Sequence, residues 1–461
     1  MENKIKFGTD GWRAITDEVF TEQNVKIAVL AIAKYIWEEF GGNKKIIIGY
    51  DPRYKADIFA NQSAQILKDC GFSVLLSDKI IPTPILAFQA KNLNACALMF
   101  TASHNPPQYL GLKFIPDYAG PATSEITDKI TLNLGTDFKP FSNDGNITKV
   151  NFAPEYFNHI ETLIDFKAIK KQQAKIIFDG LYSATIGYFD ALLTKNNIEF
   201  EAIHLHHDTN FGGGMPEPKP EYLKELTQKI INEKNAIGLA NDGDGDRFGV
   251  INELGEYVTP NEIIAILLMH LKKHKKSQGA LVKTVGASLM LNILAEKLNV
   301  ELIETAVGFK HVGEAMRKYN PIIAGEESGG LSIQNHIPEK DGILANLLIL
   351  EAMAYENKPL YQLQAELKQL INKNFINSRI DKHLSNLDEI QPFLNKIKNL
   401  NELAGYKINK TDLTDGVKHY FNDNESWILA RPSGTEPLLR IYFETTTQEK
   451  MNTLQDAINK I

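Results

Sequence analysis

The stretch Lys45-Ile46-Ile47-Ile48-Gly49-Tyr50-Asp51 is predicted to form a buried strand, because its apolar residues run continuously instead of alternating with polar ones. A helical pattern follows over residues 58–69 and ends at Gly71, and a second strand is predicted over residues 72–76. A strand, a helix and a parallel strand in this order form a βαβ unit. This part of the chain therefore predicts a parallel sheet covered by helices.

The same order of elements recurs twice further along the chain. A strand, a helix and a strand are predicted over 174–178, 186–194 and 199–204, and again over 280–285, 288–298 and 300–304. Because the similarity lies in the order of elements, we expect three related α/β units.

The C-terminal part of the chain differs in character. A polar helix is predicted over residues 391–403 and a terminal helix over 448–461, with strands over 427–430 and 438–445. This combination favours an α+β domain over a fourth α/β unit.

Length and charge set limits on the function. At roughly 150 residues per domain, the 461 residues suggest about three compact units. The 50 basic and 57 acidic side chains give a net charge of −7. This acidic balance argues against nucleic-acid binding, which needs a dense basic surface. An anionic ligand would need a locally basic site.

Cysteine content and hydropathy indicate the compartment. The two cysteines, Cys70 and Cys96, are too few for a disulfide framework or a cysteine-rich metal site. The N-terminal residues lack the apolar core of a signal peptide, and no apolar stretch approaches the roughly 20 residues of a spanning helix. We therefore expect a cytoplasmic protein with no membrane or nucleic-acid partner.

A candidate nucleophile follows a strand predicted over residues 94–100. The chain continues as Thr101-Ala102-Ser103-His104-Asn105-Pro106-Pro107, which places a serine in a loop stiffened by two prolines. A helix N-cap or an ordinary turn would use the same residues. The loop alone leaves these interpretations open.

Three aspartates at alternate positions form a candidate metal site in Asn241-Asp242-Gly243-Asp244-Gly245-Asp246-Arg247. Their mutual repulsion favours a counter-ion, and their oxygen donors favour Mg²⁺. An EF-hand is a competing interpretation, with Glu253 at the twelfth position, but Arg247 stands where that loop requires glycine. The flanks, 236–240 and 248–251, also resemble strands. A solvated acidic turn is the third possibility.

Two further loops carry polar groups suited to a ligand. Gly325-Glu326-Glu327-Ser328-Gly329-Gly330 offers carboxylates and a hydroxyl that suit sugar hydroxyls, while a general base or a surface turn stays open. Arg431-Pro432-Ser433-Gly434-Thr435-Glu436-Pro437 lies between two predicted strands and offers a guanidinium, two hydroxyls and backbone N–H groups. That combination favours binding of a phosphate dianion over a plain hairpin turn.

Taken in order, these motifs closely resemble the α-D-phosphohexomutase superfamily, the phosphoglucomutase and phosphomannomutase enzymes. The motifs are FGTDGWRA from Phe7, TASHNPP from Thr101, DGDGDR from Asp242, GEESGG from Gly325 and RPSGTEP from Arg431. The resemblance implies an α/β fold with four domains around a central cleft, three of related topology and a C-terminal α+β domain. The expected domains are 1–147 with the phosphoserine loop, 148–255 with the metal loop, 256–367 with the sugar loop and 368–461 with the phosphate loop.

The resemblance also implies roles for individual residues. Ser103 would be carried as phosphoserine, and an oxygen of its phosphate would bind Mg²⁺ together with Asp242, Asp244 and Asp246. The other implied catalytic residues are Arg13, His104, Lys113 and Arg247, with Lys113 as a general acid or base. The implied sugar-binding residues are Glu326, Ser328, Gly308, Phe309 and Lys310. The implied phosphate-binding residues are Arg431, Ser433, Gly434 and Thr435.

The implied reaction interconverts hexose 1-phosphate and hexose 6-phosphate, with glucose 1,6-bisphosphate as activator and intermediate. Leu110 departs from the asparagine usual in the family, and Glu327 and Gly330 depart from the phosphomannomutase and phosphoglucosamine mutase loops. The loops around Glu326, Lys310 and His336 look more like phosphoglucomutases, so glucose phosphate is expected, with mannose phosphate as the alternative. A metal-dependent phosphomonoesterase and an inactive binding protein are the other hypotheses. The expected assembly is a monomer or a homodimer.

Overall fold

The computed structural model describes residues 5–8, 10–142, 144–432 and 438–461. They form four domains in chain order, each built around one β-sheet. The first three sheets contain parallel and antiparallel pairs and carry helices, whereas the fourth is antiparallel. The predicted fold class, α/β with a C-terminal α+β domain, is confirmed.

Domain I has six strands and four helices in the part of it that the structure describes. The strands are β1 (Trp12–Ile15), β2 (Ile46–Tyr50), β3 (Ser73–Ser77), β4 (Cys96–Phe100), β5 (Tyr109–Ile115) and β6 (Asn146–Val150). The helices are α1 (Glu22–Phe40), α2 (Ala56–Cys70), α3 (Thr83–Asn92) and α4 (Ser124–Leu132). The sheet order is β1-β5-β4-β2-β3-β6. The strand predicted first is β2, and its isoleucines are fully buried.

Domain II has a five-stranded sheet. Its strands are β7 (Lys175–Asp179), β8 (Phe200–Ile203), β9 (Ala236–Asn241), β10 (Phe248–Ile251) and β11 (Tyr257–Val258). Its helices are α5 (Ala153–Leu163), α6 (Phe166–Ile169), α7 (Phe189–Lys195) and α8 (Lys224–Asn232). The order is β11-β10-β9-β7-β8.

Domain III has a four-stranded sheet and five helices. Its strands are β12 (Leu281–Thr284), β13 (Leu302–Thr305), β14 (Ile323–Gly325) and β15 (Leu331–Ile333). Its helices are α9 (Pro260–Lys273), α10 (Leu289–Lys297), α11 (Phe309–Tyr319), α12 (Gly342–Glu356) and α13 (Leu360–Ile371). The order is β13-β12-β14-β15.

Domains I, II and III share one four-strand arrangement, which confirms the three predicted α/β units. The shared orders are β3-β2-β4-β5, β8-β7-β9-β10 and β13-β12-β14-β15. In each, the first three strands are parallel and the fourth runs antiparallel beside the third. In each domain one loop joins the third strand of this shared order to the fourth. That loop contains Ser103 in domain I, the three aspartates in domain II and Glu326 in domain III. Three of the predicted motifs therefore occupy one equivalent position.

The described residues of domain IV form an antiparallel sheet with two α-helices. Its strands are β16 (Ile376–His383), β17 (Glu402–Leu403), β18 (Tyr406–Asp412), β19 (Val417–Phe421), β20 (Trp427–Pro432) and β21 (Leu438–Thr445). Its helices are α14 (Ile390–Lys398) and α15 (Gln448–Asn459). The helix predicted over 391–403 is wrong at its C-terminal end, because the chain leaves α14 and forms β17, where Leu403 is buried.

Helix α12 fixes domains II and III against each other. It is apolar on all sides and buried over Gly342–Met353, as expected for a core helix. Its two polar core residues each have a partner: the amide nitrogen of Asn346 donates to the carbonyl of Ala240 at 3.1 Å, and Glu351 lies 2.8 Å from Nε2 of His270. Among the described residues, no helix is long and apolar enough to cross a bilayer.

Candidate active site

Ser103 lies buried at the start of the loop between β4 and β5. Its φ is +51°, a left-handed conformation that is uncommon for a serine and often marks a functional position. Its hydroxyl donates to Oδ2 of Asp242 at 2.8 Å and lies 3.3 Å from Nδ1 of His104. A Cβ on Gly243 would lie 2.6 Å from the Ser103 carbonyl oxygen, so glycine there allows the two loops to meet.

A buried arginine that the sequence reasoning missed supports this loop. Arg53 donates to the carbonyl oxygens of Ser103, Asn105, Pro106 and Tyr109 at 2.6 to 3.0 Å. Its guanidinium lies 3.1 Å from the buried carboxylate of Asp51, which also accepts from the Thr101 hydroxyl at 2.6 Å. The available signal was the Asp-x-Arg sequence at the carboxyl end of β2.

The three aspartates converge in the loop between β9 and β10. Asp242, Asp244 and Asp246 are fully buried, and one oxygen from each lies within 4.8 Å of the others. Oδ1 of Asp244 and Oδ1 of Asp246 have no hydrogen-bond partner in the described part of the chain. Buried carboxylate oxygens without a partner are costly, and a hard divalent cation would satisfy them. The residues present therefore fit a magnesium site.

The electrostatics of this cluster differ from one carboxylate to the next. Burial, followed by the charges of Asp246 and Asp244, raises the pKa of Asp242 well above its ordinary range. Burial also opposes ionisation of Asp244, but the Lys113 ammonium and the Thr83 hydroxyl outweigh it and hold the pKa of Asp244 below its ordinary value. Additional positive charge at Asp242 would relieve the repulsion within the cluster.

Two buried lysines partly neutralise the aspartates. Nζ of Lys113 lies 3.0 Å from both Asp244 and Asp246 and 3.1 Å from Asp10. Burial alone would lower the pKa of Lys113, but Asp10, Asp244 and Asp246 raise it well above its ordinary value. Lys340 is the second, with Nζ 2.9 Å from Asp246. From the sequence alone, Lys340 had no predicted role in the site.

The predicted arginines and histidine border the same centre. Arg13 donates to Asp10 and to Asn105, both at 2.7 Å. Arg247 donates its backbone N–H to Asp242 at 3.0 Å, and its buried Nε has no hydrogen-bond partner among the described residues. Burial, followed by the charges of Arg247 and Arg13, lowers the pKa of His104 well below its ordinary value, so its imidazole is neutral at pH 7.

The predicted sugar loop of domain III contacts the aspartate loop of domain II. The N–H of Phe248 donates to the carbonyl of Gly329 at 3.1 Å, next to Arg247. The hydroxyl of exposed Ser328 donates to Oε1 of Glu326. Oε2 of Glu326 is buried with no partner in the described part of the chain. A carboxylate oxygen in this state suits a hydroxyl group of a ligand.

The other predicted binding residues belong to domains III and IV. Gly308, Phe309 and Lys310 begin helix α11, and Lys310 donates to the Ser124 hydroxyl of domain I at 3.1 Å. Arg431 lies near the end of β20, with Nε 2.9 Å from Asp415. Ser433, Gly434 and Thr435 lie outside the described residues.

Two observations bear on the alternatives raised by the sequence. Both carboxylate oxygens of Glu253 accept from the backbone N–H groups of Leu360 and Tyr361, so this residue caps helix α13 and the EF-hand interpretation is wrong. Leu110 pairs with Ala14 between β5 and β1 and is fully buried in the core of domain I. Its departure from asparagine is therefore accommodated by apolar packing.

The arrangement contains the groups that phosphoryl transfer to a hydroxyl requires. A serine hydroxyl is hydrogen-bonded to one member of a carboxylate cluster that could hold a metal, and two lysines contact that cluster. A buried carboxylate oxygen without a partner among the described residues lies on the adjoining loop. Such reactions depend on positioning and on neutralising charge.

Comparisons with known proteins cover the whole chain. Four models of the phosphoglucomutase/phosphomannomutase family match: alpha/beta/alpha domain I at residues 4–139, domain II at 154–255, domain III at 259–370 and the C-terminal domain at 376–461. A phosphoglucomutase/phosphomannomutase of Thermococcus kodakarensis is 29% identical, covering 96% of this chain and 95% of that one. A protein of Methanosphaera stadtmanae, provisionally named a phosphoglucosamine mutase, is 30% identical, with coverage of 98% and 97%.

Similar solved structures lead to the same family. A crystal structure from Thermus thermophilus, provisionally named a phosphomannomutase, has a TM-score of 0.88 and 30% identity, covering 100% of this chain and 99% of that one. An N-acetylphosphoglucosamine mutase of Aspergillus fumigatus, solved with GlcNAc-6P and magnesium, shares the fold at a TM-score of 0.62 and 12% identity over 98% and 95% of the two chains. A serine-to-alanine variant of the same enzyme was solved with glucose 1,6-bisphosphate. The chain described here thus belongs to the phosphoglucomutase/phosphomannomutase family of the α-D-phosphohexomutase superfamily and is an isomerase of the phosphomutase class.

Proposed function

We propose that this enzyme interconverts hexose 1-phosphate and hexose 6-phosphate through a phosphorylated Ser103, with glucose phosphate as its main substrate. The observation that carries the proposal is the 2.8 Å hydrogen bond from the Ser103 hydroxyl to Asp242, inside a carboxylate cluster with unsatisfied oxygens in the described structure. A phosphoryl group on that hydroxyl would lie beside any cation that the cluster binds.

The reaction uses two phosphoryl transfers, one from Ser103 to the sugar and one from the sugar back to Ser103. In the first, the bond between phosphorus and Ser103 Oγ breaks while a free hydroxyl of the bound hexose phosphate attacks phosphorus, giving a 1,6-bisphosphate. The sugar then turns around, and the other phosphoryl group returns to Ser103. Three carboxylates hold Lys113 as an ammonium. In each transfer Lys113 gives a proton to the oxygen that leaves phosphorus, and the proton that the attacking hydroxyl releases restores the ammonium.

Asp242, Asp244 and Asp246 would hold Mg²⁺ together with an oxygen of the Ser103 phosphate. When bound, the ion would offset the charge of the phosphate and polarise phosphorus for attack. Arg13 and Arg247 border the same centre and would stabilise the equatorial oxygens of the transferred group. The neutral imidazole of His104, 3.3 Å from the Ser103 hydroxyl, would orient the serine oxygen.

The substrate would be held at its two ends. Glu326 and Ser328 would recognise sugar hydroxyls, since one oxygen of Glu326 is buried and unsatisfied among the described residues. Arg431, with Ser433, Gly434 and Thr435, would hold the phosphate that does not react, and Gly308, Phe309 and Lys310 would line the cleft between them. Both orientations of the sugar must fit, so the recognised hydroxyls are those that superpose after the turn.

The choice of hexose is the finer part of the proposal. Glu327, which the phosphomannomutase and phosphoglucosamine mutase loops replace, accepts from the Thr284 hydroxyl at 2.6 Å and shapes the sugar loop. Glucosamine phosphate is the second candidate, because relatives such as the Methanosphaera protein carry that name. Initial rates with the 1-phosphates of glucose, mannose and glucosamine identify the main substrate. If kcat/KM were higher for mannose 1-phosphate or glucosamine 1-phosphate than for glucose 1-phosphate, glucose phosphate would not be the main substrate.

The test of the mechanism is Ser103→Ala. With Mg²⁺ and a trace of glucose 1,6-bisphosphate, the wild-type protein is expected to convert glucose 1-phosphate to glucose 6-phosphate, and the variant to lose this by roughly a thousandfold or more. Exposed Ser385→Ala is the matched control. Full activity in Ser103→Ala would overturn the proposal. If the protein released inorganic phosphate faster than it isomerised the sugar, it would instead be a phosphomonoesterase. If glucose 1,6-bisphosphate did not phosphorylate Ser103, the protein would be an inactive binding protein.

A further inference from the structure

One carboxylate oxygen of Asp415 contacts two loops that belong to different domains. Asp415 lies in the turn between β18 and β19 of domain IV. Its Oδ2 is 2.9 Å from Nε of Arg431, and it also accepts a 3.0 Å hydrogen bond from the backbone N–H of Val307 in domain III. The side chains of Asp415 and Arg431 are each 18% exposed, so solvent only partly screens their attraction. A single side chain therefore joins the two loops.

The contact with Val307 fixes the start of helix α11. Gly308 follows with a φ of +114°, and no side chain caps the helix at that residue. Phe309 comes next, is buried, and its ring lies 5.7 Å from Nζ of Lys340, which contacts Asp246 at 2.9 Å. A shift at Val307 would thus be transmitted to a side chain packed beside the metal-ligand cluster.

The contact with Arg431 leaves the tips of that side chain available. The ion pair joins Asp415 to Nε, and within the described part of the chain no hydrogen bond occupies the two terminal nitrogens, which are the atoms that bind an anion side by side. Asp415 would itself repel a phosphate, and its charge is compensated by the guanidinium and the Val307 N–H. Its chemistry therefore suits a residue that orients the phosphate-binding arginine and does not contact the ligand.

We propose that Asp415 is a positioning residue that holds Arg431 and residues 307–310 in one arrangement before substrate arrives, so that a phosphosugar is bound by both loops at once. The inference rests on the proposed function in that it takes Arg431 as the phosphate ligand. It adds a residue that makes recognition of the phosphate and recognition of the sugar depend on each other.

Two substitutions separate the contacts of Asp415. Asp415→Asn keeps an oxygen acceptor for Val307 but removes the charge beside Arg431, and Asp415→Ala removes both. Losing a charge-assisted contact is expected to raise KM for glucose 1-phosphate by about tenfold in Asp415→Asn and further in Asp415→Ala, with kcat within about threefold of wild type. An unchanged KM in Asp415→Ala would overturn the inference.

The matched control is Lys418→Met. Lys418 lies three residues further along, and its Nζ donates to the Val285 carbonyl at 2.6 Å, which joins the same two domains through residues outside both loops. This variant is expected to lower the melting temperature while KM stays within about threefold of wild type. If Lys418→Met raised KM as much as Asp415→Ala does, the higher KM would result from weaker docking of domain IV in general, and the positioning role of Asp415 would be wrong.

A binding measurement distinguishes this inference from the proposed function. Calorimetric titration of glucose 6-phosphate into each protein needs no turnover. Tenfold weaker binding by Asp415→Ala than by wild type would support the positioning role even if the wild type failed to isomerise the sugar, whereas equal binding would overturn it. Absence of mutase activity in the wild type would overturn the proposed function alone.

Discussion

The guanidinium of Arg53 donates a 2.6 Å hydrogen bond to the backbone carbonyl oxygen of Ser103. The ion pair with Asp51 holds Arg53 in place, and three further carbonyls of the same loop accept from it. The candidate nucleophile is therefore positioned through its own backbone, by a residue whose side chain is completely buried.

Arg53→Lys is expected to slow phosphorylation of Ser103. A lysine ammonium lacks the planar fork that reaches several carbonyls at once, so the loop would shift. Displacement by about 1 Å can cost roughly a hundredfold in rate, and we expect at least a tenfold loss. Intact-mass spectrometry after mixing with glucose 1,6-bisphosphate gives the rate. Arg379→Lys, which changes an exposed arginine of domain IV, is the control. A wild-type rate with a lowered melting temperature would reduce Arg53 to a structural role.

Asp242→Asn is expected to abolish stabilisation by Mg²⁺ without destabilising the metal-free protein. Burial and two neighbouring carboxylates raise the pKa of Asp242, so a neutral side chain relieves repulsion there. The wild-type melting temperature should rise with millimolar MgCl₂, whereas that of the variant should not. Exposed Asp388→Asn should behave as wild type. A magnesium shift of wild-type size in Asp242→Asn would argue against this carboxylate as a ligand.

Glu326→Gln is expected to impair catalysis more than stability. Oε2 of Glu326 has no hydrogen-bond partner among the described residues, so little native structure depends on it. Loss of a charged contact to a sugar hydroxyl should lower kcat/KM by about tenfold or more, while the melting temperature changes little. Glu314→Gln, at an exposed position of the same domain, is the control. Equal kcat/KM in both variants would exclude Glu326 from substrate recognition.

Stability is expected to rise with pH above neutrality through Lys418. Burial, reinforced by the charge of Lys283, lowers the pKa of Lys418 from 10.5 to about 7. Between these values the unfolded chain binds the extra proton, so folding becomes more favourable as pH increases, and this contribution is lost as pH falls towards 7. Between about pH 7.5 and about pH 9.5, the melting temperature of the wild type should therefore increase relative to that of Lys418→Met. If the melting temperatures of the two proteins changed with pH in parallel, this prediction would be wrong.

Local patterns predicted much of the fold and part of the site. Buried strands such as β2 are evident from their continuous apolar residues, and the three aspartates lie close together in the chain. Strands β16 and β18 were missed because their side chains are at most half-buried and because they are rich in Lys, Asn and Asp. Their strand character depends on pairing with β21 and β19, and a local stretch of sequence does not show such pairing.

The missed site residues depend on contacts over long distances in the sequence. Lys340 lies 2.9 Å from Asp246 only because helix α12, which begins two residues later, packs between domains II and III. Arg53 acts on a loop about fifty residues away. Single charged residues in a sequence give no sign of such partners, whereas motifs that gather their own ligands, such as the aspartate loop, do.

The common position of three hairpin loops has a consequence for how this protein can change. Ser103, the aspartates and Glu326 each occupy the connection from third to fourth strand in copies of one architecture. Each copy supplies a rigid platform, and the chemistry resides in a handful of residues at its rim. If the loops have the roles proposed above, selection can change the loop that recognises the sugar without disturbing the loops that hold the phosphoryl group and the cation, so that a new preference among hexoses would arise with the reaction unchanged.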